Sequence, residues 1–245
     1  MYMLRARLLT RLSSTPKPFQ FLMVWVPGLE EFPMSVSMYS DDGVVQIVFK
    51  VRGRGTHGLA SLGPGQFMGF RGPFGRGLET ANVGNRVLMV AGGVGIAPVP
   101  YAAKVLQECG VYVDVVWGVK DSNELFDPSL IGLELHGREV MIATEDGSRG
   151  FKGTVVELMA KVVAEDRNRY DTIIGIGPKA MLREMCRVAK ELGVVDRVWV
   201  SIETTVKCGM GICGSCCLRP LPKLLCRDGP LFRCIEVEEF LSRSS

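Results

Sequence analysis

The segment Lys207–Phe232, KCGMGICGSCCLRPLPKLLCRDGPLF, gathers five cysteines in a short stretch whose first half contains three glycines. Four residues separate Cys208 from Cys213, two separate Cys213 from Cys216, and nine separate Cys216 from Cys226. A four–two–distant spacing of this kind is that of a [2Fe-2S] loop, in which four thiolates converge on two irons. Gly209, Gly211 and Gly214 would let the backbone wrap a compact centre and turn N–H groups toward its sulfides. Structural zinc is a second reading, although zinc sites usually pair their ligands as two short knuckles and here the fourth cysteine stands alone. Disulfides are a third; bridged frameworks suit small secreted chains with little core. Cys217 directly follows one ligand and is expected to face away. Cys234 falls at the start of a closing helix and is expected to pack as a spare thiol. Cys109 and Cys186 sit in helical patterns among apolar neighbours and read as buried thiols.

Two glycine turns elsewhere could receive a dinucleotide. In Gly92-Gly93-Val94-Gly95-Ile96-Ala97-Pro98 a buried apolar run gives way to glycines at a helix start, where a pyrophosphate could approach the backbone. Gly177-Pro178-Lys179-Ala180-Met181 repeats that strand–glycine–helix order. Neither is GxGxxG, and each alone also fits ordinary tight-turn geometry. Nearer the start, Arg52–Leu59 (RGRGTHGL) reads as a glycine-rich turn with basic side chains and a Thr hydroxyl, suited to a diphosphate. His57 within it reads as a solvated loop histidine.

These residues need elements to hold them. Up to about residue 80, short alternating runs such as Val44–Val51 stand between Gly, Pro and Asp turns, the pattern of a small antiparallel barrel. From Arg86 onward the pattern changes to alternating strands and helices. Strands are expected at Arg86–Ala91, Val111–Gly118, Glu139–Ala143, Asp171–Ile176 and Arg197–Ile202, with helices at Val99–Gln107, Gly153–Ala164 and Pro178–Leu192. That alternation implies a parallel, doubly wound sheet with ligands at the carboxyl ends of its strands. The expected division is a barrel over 1–80, a nucleotide domain over 81–202 and a small cysteine-loop domain over 203–245.

Composition excludes other classes. A net charge of +3 with no Lys/Arg block leaves no footprint for nucleic acid. No uncharged run approaches the length of a bilayer-spanning helix, so a soluble, cytoplasmic protein is expected. The opening MYMLRARLLTRLSSTPK is basic and lacks acids, which fits either a transit peptide or a first strand with an exposed basic face. The strand is preferred, because the barrel behind it needs the length.

Taken together, the barrel, the dinucleotide sheet and the cysteine loop resemble the ferredoxin–NADP reductase superfamily over nearly the whole chain. Within it, KCGMGICGSC followed by CRDGPLF resembles the cluster loop of the electron transfer subunits of NAD-dependent dihydroorotate dehydrogenase. GGVGIAP and GPKAM match the superfamily's less specific nucleotide motifs. Pro33, Met34 and Ser35 resemble its Arg-Pro-x-Ser flavin motif, and Gly55 and Thr56 its flavin diphosphate turn. Phe32 stands where the motif usually has Arg, so a charge on the flavin phosphates is missing; Lys50, Arg52 and Arg54 are candidates to supply it.

The resemblance implies bound FAD, a [2Fe-2S] cluster on Cys208, Cys213, Cys216 and Cys226, and NAD held by Gly92, Gly93, Gly95, Gly177 and Pro178. It also implies an FMN-containing catalytic subunit that oxidises dihydroorotate, in a heterotetramer of two of each chain. Electrons would pass through the cluster to FAD and leave on NAD+, with no residue acting as general acid or base. A flavin subunit of a hydrogenase, sulfite reductase or ferredoxin-dependent transhydrogenase, a stand-alone NAD(P)H:acceptor reductase, and a zinc-bearing binding module remain alternatives. Arg149 would suit a 2′-phosphate, whereas Glu145 and Asp146 favour NAD over NADP.

Overall fold

The structure, a computed structural model, describes residues 1–243. Its first part is a barrel of two small antiparallel sheets. One has the order β1 (Tyr2–Arg7), β5 (Val44–Phe49), β4 (Met38–Tyr39); the other has β3 (Phe32–Ser35), β2 (Phe21–Trp25), β6 (Gly69–Phe74). Leu22, Val24, Val45, Ile47 and Phe49 fill the space between them. β1 is a strand with Arg5 and Arg7 outward and Leu4 and Ala6 turned in, as the basic-faced reading of the opening requires.

The second part is a seven-stranded sheet. Its order is β10 (Phe151–Lys152), β9 (Met141–Thr144), β8 (Tyr112–Val119), β7 (Arg86–Gly92), β11 (Thr172–Ile176), β12 (Val198–Ser201), β13 (Leu231–Arg233). The first six are parallel, and β13 runs antiparallel to β12. Helices α2 (Val99–Glu108), α3 (Val155–Glu165) and α4 (Lys179–Glu191) provide the crossovers. With apolar cores on both faces, β7 and β11 read as unbroken apolar runs instead of alternating ones. Thr154 starts α3 with a reciprocal capping box to Glu157, which fixes where the chain leaves β10.

Several expectations change. Arg52–Leu59 is no turn: α1 (Arg54–Ala60) occupies it, and His57 is exposed on that helix, not on a loop. Three glycine-flanked residues look like turn chemistry in sequence, but Leu59 is buried under the barrel and supplies the tertiary contact that stabilises a helix there. The sheet also does not end at β12. The segment 231–242 returns to it as β13 and the helix α6 (Cys234–Ser242), which packs on α4. Between β12 and β13 lies the cysteine loop with its single-turn helix α5 (Leu225–Asp228).

The two expected buried thiols are corrected as well. Cys109 is exposed at the end of α2, where the helical pattern stops. Cys186 is buried but is no thiol, because it forms a disulfide with Cys234, the residue expected to be spare. Among the described residues no helix is long and apolar enough to cross a membrane.

Candidate functional site

The cysteine loop is built from backbone turns that aim N–H groups at sulfur. Gly209 and Gly211 adopt left-handed φ values of 75° and 78°, which L side chains rarely tolerate. A Cβ at Gly209 would also lie 2.9 Å from the Phe74 ring. The Gly211 N–H donates to the Cys226 sulfur at 3.1 Å, and the Met210 N–H to the Cys208 sulfur at 3.4 Å. N–H groups of Cys213, Met210 and Ile212 favour the Cys208 thiolate and lower its pKa to about 6. Cys213, exposed, is lowered too, chiefly by the Ser215 hydroxyl. Cys216 and Cys226 are buried with their sulfurs 3.3 Å apart, and burial followed by the neighbouring Cys216 pushes Cys226 up to about 12.

The four sulfurs therefore form an outer, readily ionised pair and an inner, buried pair. Among the described residues no three Cys, His, Asp or Glu side chains close on one point. Cysteine thiolates are the ligands that a [2Fe-2S] cluster takes, and the loop supplies four of them. Cys217 is turned elsewhere, with its sulfur 3.6 Å from the Leu221 carbonyl oxygen.

The loop is clamped between barrel and sheet. Gly75 N–H donates to the Cys226 carbonyl at 3.1 Å, Ile202 N–H to the Pro230 carbonyl at 2.9 Å, and Arg71 to the Cys208 carbonyl at 3.3 Å.

Three chambers that share lining residues lead from the barrel to the carboxyl ends of the parallel strands. The outer one, about 610 Å³, is lined by Phe32, Pro33, Met34, Arg54, Gly55 and Thr56. The middle one, about 270 Å³, shares Pro33, Met34, Arg52 and Thr56 with it and adds Ser35, Lys50, Ser201 and Leu225. The inner one, about 480 Å³, holds Gly92, Gly93, Gly118, Glu145, Gly177 and Pro178 at the carboxyl ends of the parallel strands. Lys50, Arg52, Val94 and Glu203 line both middle and inner chambers.

Most of the residues singled out in the sequence are thus brought together, with three qualifications. Gly95 lines none of these chambers; a Cβ there would lie 2.2 Å from the Ile176 carbonyl oxygen, so its bare backbone serves packing. Thr56 lines the outer and middle chambers, but its hydroxyl accepts the Arg52 and Gly53 N–H groups at 2.8 and 3.1 Å and donates to the Gly53 carbonyl. That hydroxyl is committed to the helix start and not to a diphosphate. Lys50 is held by Glu124 at 3.1 Å, whereas Arg52 has no ion-pair partner within 4.0 Å among the described residues. Arg54 at the start of α1 and Arg52 just before it line the outer chamber, where Phe32 stands in place of the expected Arg. The Phe32 ring packs on Gly55, where a Cβ would come within 2.6 Å of it.

Sequence reasoning missed Glu203 and Trp117. Glu203 lies two residues past the end of β12, is exposed, and lines both the middle and the inner chamber. The surrounding protein raises its pKa above the ordinary carboxylate range, with Arg52 acting in the opposite sense. Position at the carboxyl end of a parallel strand is the one signal that could have found it. Trp117, fully buried, donates from its indole N–H to the Gly93 carbonyl at 2.9 Å and pins the first glycine turn.

Comparison with known proteins follows the same lines. Residues 203–238 match the family model of the iron-sulfur cluster binding domain of dihydroorotate dehydrogenase B. A solved chain from an NADH-dependent reduced ferredoxin–NADP oxidoreductase, studied for flavin-based electron bifurcation, is 30% identical with a TM-score of 0.79. It covers 93% of this chain and 82% of its own. A probable dihydroorotate dehydrogenase B (NAD+) electron transfer subunit from Archaeoglobus fulgidus is 37% identical over 220 residues, 90% of this chain and 87% of that one. Its counterpart from Methanocaldococcus jannaschii is 37% identical over 216 residues, 88% of this chain and 79% of that one. Identity of 37% over about nine-tenths of the chain places it in the family of dihydroorotate dehydrogenase B (NAD+) electron transfer subunits.

Proposed function

We propose that this chain carries electrons from a partner that oxidises dihydroorotate on FMN, through a [2Fe-2S] cluster and FAD, to NAD+. One observation carries the reading: Leu225 lines the middle chamber, and the next residue, Cys226, has its sulfur 3.3 Å from that of Cys216 in the cysteine loop. The flavin chamber and the cluster site are thereby one residue apart in the same loop. Bound FAD exchanges a hydride with a nicotinamide and single electrons with an iron–sulfur cluster, so it joins the two kinds of carrier.

The chain's own residues then divide the work. Pro33, Met34 and Ser35 line the flavin's chamber, while Gly55, the start of α1, Arg52 and Arg54 receive its diphosphate. Gly92, Gly93, Gly177 and Pro178 leave room for the NAD pyrophosphate. Glu145 faces the inner chamber whereas Arg149 does not, which favours NAD over NADP. Cys208, Cys213, Cys216 and Cys226 hold the cluster, with Met210 and Ile212 exposed beside it for a partner. The assembly is two of each chain, in the cytoplasm, and the units 1–80, 81–202 and 203–245 carry flavin, nucleotide and cluster.

The test is reconstitution. Anaerobic protein should release FAD on denaturation, and dihydroorotate should reduce NAD+ only when the co-purifying catalytic chain is present. Released FMN, or no dihydroorotate-dependent NADH from the intact complex, sinks the reading. A subunit of a ferredoxin-linked transhydrogenase is the second reading, resting on the solved chain at 30% identity; the identity of the co-purifying chain separates the two.

A further inference from the structure

The Cys186–Cys234 disulfide joins the middle of α4 to the first residue of α6, with Cα atoms 5.7 Å apart and both residues buried. Each helix belongs to a different working part. The N-terminal end of α4 carries Pro178 and Met181, which line the inner chamber. α6 ends the chain segment that begins with the cysteine loop. The two cysteines are 48 residues apart in sequence, and the covalent ring they close contains β12, Glu203 and all four thiols proposed as cluster ligands.

We infer that this disulfide is a staple that holds the cysteine loop in place by locking its return leg onto the nucleotide-binding sheet. Besides the bond, α4 and α6 share apolar packing, with Leu182, Met185 and Ala189 of α4 and Val237 and Leu241 of α6 in one buried cluster, whereas their polar ties are weak. Lys190 pairs with Glu238 and the Lys179 ammonium lies 4.2 Å over the Phe240 ring, but the ion pair is largely exposed to solvent. β13 contributes only three residues of pairing with β12. By contrast, closing a loop of this length restricts the open chain by as much as about a thousandfold in the chain-entropy treatment. The bond also withdraws two of the eight sulfurs from competition for iron, leaving Cys217 as the single surplus thiol within the loop.

The bond and the restraint stand without the cluster; only the effect on cluster retention rests on the proposed ligation. Reduction by a dithiol delivers two electrons and two protons to the sulfurs, yielding two thiols and the reagent's cyclic disulfide. The holo-protein, isolated without thiol reagents, should be alkylated in denaturant and digested. The expected product is a peptide pair linked through Cys186 and Cys234; alkyl label on both cysteines overturns the inference. Hydrogen exchange should then be compared between this protein, the dithiol-reduced wild type and the double variant Cys186→Ala/Cys234→Ala. Exchange across residues 203–242 should rise about tenfold or more when the bond is absent, while residues 86–119 keep their protection, and visible absorbance from the cluster should fade correspondingly faster on heating. Equal exchange with and without the bond overturns the staple. If the double variant does not fold, the reduced wild type decides. If no cluster absorbance is found at all, the ligation reading falls while the exchange comparison still decides the staple.

Discussion

Two kinds of residue do the chemistry-bearing work, and they differ in how far a single sequence exposes them. The four thiols proposed for the cluster sit in one loop, so their spacing is itself a geometric constraint and is legible in the chain's own residue order. Single Cys→Ser changes at Cys208, Cys213, Cys216 or Cys226 should abolish or strongly alter the reduced protein's electron paramagnetic resonance signal, with Cys217→Ser leaving it near normal. A normal signal from Cys226→Ser would remove the fourth ligand from the assignment. Glu203 is the opposite case, a lone acid after a strand with no spacing to announce it. It lines both the middle and the inner chamber, proposed for flavin and nicotinamide, where oxidation of NADH would leave a positive ring. Glu203→Gln keeps the shape and removes the charge. Rapid-mixing reduction of the bound flavin by NADH should slow roughly tenfold, about 1.4 kcal/mol of barrier. An unchanged rate would leave Glu203 a wall residue.

At the scale of elements, the two glycine turns are readable as turns but not as distinct in purpose. The sequence offers Gly93 and Gly95 as equivalent candidates for a pyrophosphate site. Their surroundings separate them. Gly93 has a φ of +54° and open space where a Cβ would go, whereas a Cβ on Gly95 strikes backbone of the neighbouring strand-end turn. Gly93→Leu should fold with a backbone penalty of about 1–2 kcal/mol and slow flavin reduction by NADH. Gly95→Ala should lose folded yield instead, measured as soluble protein and flavin content. If Gly93→Leu is reduced at the wild-type rate, the nucleotide lies elsewhere. Helix α1 shows the limit of local reading from another side: its glycines argue for a turn, and only burial of Leu59 against the barrel decides for a helix. The disulfide is illegible for the same reason. Helical phase places Cys186 inward, but only the packing of α6 on α4 brings Cys234 to it.

The whole molecule is polar in its organisation. The inner chamber lies at the carboxyl ends of the parallel strands, and the opposite end of the sheet is held by an ion cluster. There Asp114 of β8 is buried and accepts from Arg138, from Arg169 at 3.2 Å and from the Tyr170 hydroxyl at 2.8 Å. Burial alone would raise the Asp114 pKa; the arginines and the hydroxyl outweigh it and hold it below the usual range. A carboxyl depressed in the folded state adds stability above its unfolded pKa of about 3.9 and loses it as pH falls through the folded value. Asp114→Asn should therefore cost about 3 kcal/mol at neutral pH, because two arginines keep their charges without the partner. The deficit should shrink in acid, and NADH-driven flavin reduction should be unaffected. Thermal melts of both proteins from neutral pH to below 4 check the first two, and rapid mixing the third.

The antiparallel strand β13 sets how such a molecule can be taken apart or recombined. It covers the edge that β12 would otherwise present, so the cysteine loop cannot be cut away at residue 203 without baring an unpaired strand and inviting association. A transplant into another reductase needs more than the thiols and their glycines. The recipient must offer a free strand edge with which β13 can pair antiparallel and a helix that α6 can cover. The heritable block is therefore sheet plus loop, from Arg86 to the end of α6, while the barrel in front of it is the exchangeable piece.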